Sequence, residues 1–448
     1  MFKRARRETC RDRLPVELVL RIAFFLPDPS TYFTYIQAVA SIVPDFACSL
    51  RTLRQTHATN ALWPQLHLRD FVDATNPCME IAAKHYPVIQ LGPSFADVQY
   101  LRRFVPQSAD IHISSLPCRK TFGVPSTAAY FEHLAHLPIS KITLPETMSS
   151  TMDTTPLVDI LPRLTKLTSL TISFDTVPMR FLEFLSTSRL TSLNLTIQGG
   201  NATSDDLILE HLTQWLQRQP VEVLHLYWDE LDGSPQKSRA FFMALSNAKA
   251  LTQLFLTPFD QALAVPTFRI PPTVADLGVG MINFTRRSEA KYARLGRRLA
   301  SSNVTRLSIT QDIAPSQCRS LIAALPSTKV TELILEDVDL CDDGCAVIAD
   351  GFAATRLTSI NLSTNELSNS AAHSLSLALL AAERPISAIH LDNNLITRTG
   401  LRTLLKATVA RSSPTHYISM TGNKVDRATA SRLRHDLRSL EVAGNSQT

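Results

Sequence analysis

A chain of 448 residues with 44% hydrophobic and 19% charged residues has the composition of a folded protein and excludes extended disorder, while 7% aromatic residues are too few for base-stacking platforms. Of the net charge of +5, a local excess of +4 lies in residues 1–13, where Lys3, Arg4, Arg6, Arg7, Arg11 and Arg13 face Glu8 and Asp12. The near-neutral remainder argues against nucleic acid as a partner, and no apolar run reaches the roughly 20 residues of a membrane span.

Residues 1–13 form a basic tail, read as a solvated arm or an import signal, which places the chain in the cytoplasm or nucleus. Seven scattered cysteines (Cys10, Cys48, Cys78, Cys118, Cys318, Cys341, Cys345) fit a reducing compartment rather than a disulfide framework. Cys341 and Cys345 have no second Cys/His pair nearby to complete a zinc site, so neither a metal nor any other cofactor is expected.

The next segment, 14–62, is helical. Pro15 opens a helix, Glu17 complements its N-terminal dipole, Leu18, Ile22 and Leu26 make one apolar stripe, and Pro27 stops it. Further helices are predicted at Thr31 to Val43 and Leu50 to Asn60. The pattern Leu14-Pro15-x-Glu17-Leu18-x-x-x-Ile22-x-x-x-Leu26 resembles the first half of an F-box, with Trp63 in the place of that family's terminal Trp. The resemblance departs at Ala38 to Pro44, where a Val-Cys-x-x-Trp-like stretch is absent. It implies that Leu14, Pro15, Leu18, Ile22 and Leu26 dock a Skp1-type adaptor of a cullin-RING complex. A helical cap on the end of the following repeats is the alternative.

From 63 to 440 one phrase recurs, apolar-x-x-apolar-x-apolar. It starts at Leu167, Leu190, Val221, Leu251, Val274, Val304, Val330, Leu357, Ile386 and Thr415, and also at Ile139; fainter copies start at Trp63, Tyr86 and Ser108. The last two steps are 29 residues each and the others from Ile139 onward run from 23 to 31. The period resembles the longer class of leucine-rich repeat, with Asn365, Asn394 and Asn423 closing the last three copies. The resemblance implies an α/β fold of about 14 strand-helix units, ribonuclease-inhibitor-like, with a curved parallel sheet on the concave face and helices outside. Helices are predicted at Ser370 to Ala382 and Thr399 to Thr408, with Gly344 and Gly400 at helix starts. Pro145 to Pro156 and Pro258 to Pro272 are predicted as protruding loops, and 441–448 as a tail.

Period-2 alternation aims the x positions outward. Most are Thr, Ser or Asn (Thr168, Thr191, Thr305, Thr358), but the middle units offer His225, Tyr227, Trp228, Gln253 and Phe255, side chains of the kind that anchor interfaces. An acidic group, Glu332, Glu336, Asp337 and Asp339, would steer a basic partner. A basic helical face spans Arg286, Arg287, Lys291, Arg294, Arg297 and Arg298. No phosphate loop, nucleophile elbow or His-Glu-x-x-His motif is present, so the chain reads as a protein-binding protein and not an enzyme. The resemblance narrows this to the substrate receptor of a cullin-RING ubiquitin ligase holding an unidentified protein target. An interaction scaffold outside ubiquitin chemistry and a GTPase-activating repeat protein are the alternatives.

Overall fold

The computed structural model describes residues 14–69, 75–92, 98–114, 127–144, 154–199, 202–229, 231–281, 289–411, 415 and 417–425. The tails 1–13 and 441–448, Arg286 and Arg287, and most of the predicted loop at Pro145 to Pro156 lie outside these residues. Fourteen parallel strands follow one another in chain order, and the chain divides into two compact units, Met1–Ile172 and Ser173–Thr448.

The first unit opens with three helices, α1 (Val16–Phe24), α2 (Pro29–Ala38) and α3 (Pro44–Leu53). Asp28 caps α2 by accepting from the backbone N–H of Thr31 at 2.9 Å and its hydroxyl at 2.7 Å. The third helix starts six residues before the predicted Leu50, because Pro44 supplies a pre-set φ and Asp45 a negative charge in its first turn. Strands β1 (Leu66–Leu68), β2 (Val88–Leu91), β3 (Asp110–Ile113), β4 (Ile139–Thr143) and β5 (Ser169–Phe174) follow, the division between units falling within β5. All three faint phrases are therefore strands.

An aromatic cluster fixes the helices to the strands. Phe24 lies 5.6 Å from the ring of Tyr32 and 4.9 Å from that of Tyr86, which precedes β2. The Tyr86 hydroxyl donates to the carbonyl of Leu62 and accepts from the Tyr32 hydroxyl at 3.2 Å. Burial raises both phenol pKa values, so the pair acts as neutral hydrogen-bonding groups.

In the second unit β6 (Ser192–Ile197), β7 (Val223–Trp228), β8 (Gln253–Thr257), β9 (Asp276–Val279), β10 (Arg306–Ile309), β11 (Glu332–Ile334), β12 (Ser359–Asn361), β13 (Ala388–His390) and β14 (Ile418–Ser419) alternate with helices. Leu224 and Leu226, Leu254 and Leu256, Leu277 and Val279, and Leu307 and Ile309 are buried, as the phrase requires. Helices Asn369–Ala381 and Arg398–Ala410 match the predicted stretches within a turn. Gly400 sits where a side chain would collide, a Cβ there lying 2.6 Å from Ile396 and 2.5 Å from the Asn369 amide oxygen.

The predicted loop at Pro258 to Pro272 is a correction. It contains the helix Phe259–Ala264, with Phe259, Ala262, Leu263 and Phe268 buried. A single turn and a half is too short for helical spacing to show in the sequence, yet burial of two phenylalanines stabilises it.

Asparagine does the work expected at the turns after the last three strands. The Asn394 amide oxygen accepts from the backbone N–H of Asn365 (3.1 Å) and Leu367 (2.9 Å), both in the preceding unit. Its amide nitrogen donates to the carbonyls of Leu362, Leu391 and Asp392. Asn365 does the same for Val338 and Leu340, and Asn423 for Ile396. These turns hold positive φ at Thr364, Glu366 and Asn393, and at Gly422, where glycine meets φ 74° without strain.

Candidate functional site

The sheet register places one outward row along Val223, Gln253, Asp276, Arg306 and Glu332, and a second along Asn194, His225, Phe255, Gly278 and Ser308. His225 and Phe255 are half-buried neighbours with ring centroids 6.0 Å apart. Phe255 reaches across Gly278, where a Cβ would come within 2.2 Å of its ring. The missing side chain thus lets the phenylalanine lie along the sheet. Tyr227 is exposed two residues beyond His225, and Gln253 is exposed beside Val223. Four of the five expected residues share this outward patch.

Trp228 does not join them. Strand β7 runs a full six residues with a regular alternation of side chains, so Trp228 follows Leu224 and Leu226 inward and is 1% exposed. Its indole Nε1 has no hydrogen-bond partner among the described residues, and its role is that of core. The outward threonines are also structural. Hydroxyls of Thr168, Thr305, Thr331 and Thr358 each donate to a carbonyl of the preceding unit, at 3.3 to 3.4 Å.

Beside the aromatic patch lies a charged row that the phrase could have revealed, since Asp276 and Arg306 hold the x position before Leu277 and Leu307. Arg306 donates to Glu332 at 2.8 Å and lies 3.8 Å from Asp276. The bond to Glu332 raises the Arg306 pKa. Burial raises that of Asp276, against the pull of Arg306 and His225. Burial lowers the His225 pKa, opposed by Asp276, so the ring is held neutral. In the acidic group of the Val330 repeat, Glu332 is thus committed to Arg306, and Glu336 accepts from Asn361 at 2.9 Å. Asp337 and Asp339 occupy positive-φ turn positions, φ 54° and 50°. Tyr417, another x residue, is 52% exposed beside His390, their rings 5.5 Å apart.

The first unit carries a separate surface. Helix α1 buries Val19, Leu20 and Ala23 and turns Leu18 (42% exposed) and Ile22 (37%) to the outside, and Leu14, just before it, is 50% exposed. Pro15 is exposed as well, Leu26 is half-buried, and Phe25 is 79% exposed. The stripe expected from the F-box-like pattern is therefore distinct from the one that fixes the helix to the fold. A groove of about 540 Å³ flanks α1, lined by Leu20, Phe24, Phe25 and Tyr86 with Arg21 and Lys84 at its edge. No described helix is long and apolar enough to cross a membrane.

No family model and no curated protein matches the sequence. Among solved structures the chain is similar to an internalin from Listeria monocytogenes, over 87% of this chain and 93% of that one, at 13% identity and a TM-score of 0.28.

Proposed function

We propose that the chain is a protein-binding receptor, that the outward patch of His225, Tyr227, Gln253 and Phe255 holds its target, and that α1 docks a Skp1-type adaptor of a cullin-RING ubiquitin ligase. The observation that carries the docking reading is the outward stripe of α1. Water-exposed Leu14, Leu18, Ile22 and Phe25 on one short segment form an apolar surface that gains free energy when covered. Leucine and isoleucine on one helical face suit a partner helix or groove. The receptor itself would perform no bond chemistry. Its contribution would be effective concentration, holding a target beside a ubiquitin-charged enzyme so that transfer becomes nearly intramolecular.

The buried stripe of α1 also supports the alternative, a cap on the first strands, and the two readings use opposite faces of one helix. A Leu14→Asp, Leu18→Asp double variant separates them, since both positions are solvent-facing. The expected outcome is loss of adaptor in co-purification with an unchanged unfolding temperature. Adaptor recovered at the wild-type level would leave the cap as the helix's whole role.

A further inference from the structure

The helix Glu289–Ala300 carries Arg294, Arg297 and Arg298 at i, i+3 and i+4, hence on one face. The preceding helix, Phe259–Ala264, is half as long. Where it ends, Leu263, Ala264 and Pro266 with these three arginines wall a cleft of about 430 Å³. A fourth guanidinium closes on the same spot. Arg298 Nη2 donates to the Pro266 carbonyl at 3.1 Å, and Arg269 Nη1 donates to that same oxygen at 3.2 Å.

Two cations sharing one acceptor repel each other. Burial, and then the charges of Arg269 and Arg297, lower the Arg298 pKa. None of the four arginines has a carboxylate within ion-pair distance among the described residues, whereas Lys291, one turn earlier, is paired with Asp260 at 2.9 Å. The cluster is thus a concentrated positive charge that the described residues do not neutralise.

Guanidinium forks match phosphate oxygens in pairs, and an ester of charge near −2 would relieve the repulsion. The walls bear no aromatic ring on which a base could stack, and their apolar members are few, which disfavours a nucleic-acid strand and a membrane surface. A recess of this size holds one phosphate with a neighbouring residue. We propose that this cleft binds a phosphorylated segment of a partner protein, through Arg294, Arg297 and Arg298. The site is independent of the strand-face patch and of α1.

The test is fluorescence anisotropy of the full chain with a labelled octapeptide library centred on phosphoserine, beside the same library unphosphorylated, at about 0.15 M salt. The phosphorylated library should bind ~10-fold tighter or more, about 1.4 kcal/mol. Arg294→Ala, Arg297→Ala should abolish the difference with no change in unfolding temperature, because both side chains are exposed. Arg294→Lys, Arg297→Lys keeps the charge but loses the fork and should restore only part of it. Equal binding of the two libraries, or a difference that survives the alanine variant, overturns the proposal. So does a labelled single-stranded DNA 12-mer that binds more tightly with the same arginine dependence, or inorganic pyrophosphate that binds as well as the peptides.

Discussion

Single side chains in this protein divide sharply between those that complete the fold and those available to a partner. Asn394 belongs to the first group, since its carboxamide serves five backbone groups, most of them buried. Stranding a buried donor or acceptor costs roughly 1–3 kcal/mol. Asn394→Ala should therefore destabilise by about 2 kcal/mol, lowering the melting temperature by about 2–4 °C on a calorimetric scan. Exposed Gln253→Ala should leave it unchanged. Trp228→Ala should cost about 3–5 kcal/mol, as emptying a core site does, and should show in denaturant titration whether or not a partner is present. Phe255→Ala should act chiefly on binding. Once a target is captured, a loss of about 2 kcal/mol in affinity, roughly thirtyfold, with normal folding is expected there. If Trp228→Ala instead spares stability and removes binding, the inward assignment is wrong.

At the scale of elements, α1 shows one nine-residue helix serving two environments, and its neighbour α2 shows how much a cap contributes. Asp28→Ala removes both bonds to Thr31 and should lower the midpoint of denaturant unfolding. A cost near zero would mean that packing of Tyr32, Phe33 and Ile36 alone sets the helix. Legibility in the sequence followed the same division. Strands were legible because Leu-x-Leu spacing is repeated and each copy meets the same demand for burial. The helices Asn369–Ala381 and Arg398–Ala410 were legible because thirteen residues suffice to show a 3.6-residue period. The six residues of Phe259–Ala264 were not, and the four prolines Pro258, Pro266, Pro271 and Pro272 imitated a loop. In α1 the sequence named an apolar stripe but not its direction, since Leu18 and Ile22 are as apolar as Val19 and Leu20. Which stripe is inside is decided by neighbours outside the helix, among them Tyr32 and Tyr86, whose rings pack on Phe24. The outward placement of His225, Tyr227, Gln253 and Phe255 was legible for the same reason as the strands, and Trp228 was misplaced because the strand runs on past the six-residue phrase. The charged row of Asp276 and Arg306 carried no compositional signal beyond its register.

For the molecule as a whole, partial desolvation lowers the pKa of four histidines, the half-buried His67, His112 and His225 and the more exposed His85. A depressed folded-state value means that the unfolded chain binds protons more readily. The stability contributed by keeping these rings neutral is complete above the ordinary value of 6.5 and is lost as the pH falls through the lowered folded values. Asp205 and Asp276, raised by burial, act in the opposite sense within the carboxyl range. Chemical denaturation at pH 7.5 and 5.5 should show lower stability at 5.5, with the difference reduced in His225→Gln; equal stability would show that the histidines are not protonated on unfolding. The asparagine ladder has a consequence in time. Each carboxamide closes the turn of the unit before it: the backbone N–H groups of Val338 and Leu340 donate to Asn365, and those of Asn365 and Leu367 to Asn394. On a ribosome that releases the N-terminal end first, each turn leaves the tunnel with its donors still bound to water. It is sealed about one repeat later, when the next asparagine emerges, so closure travels along the nascent chain one unit behind its synthesis.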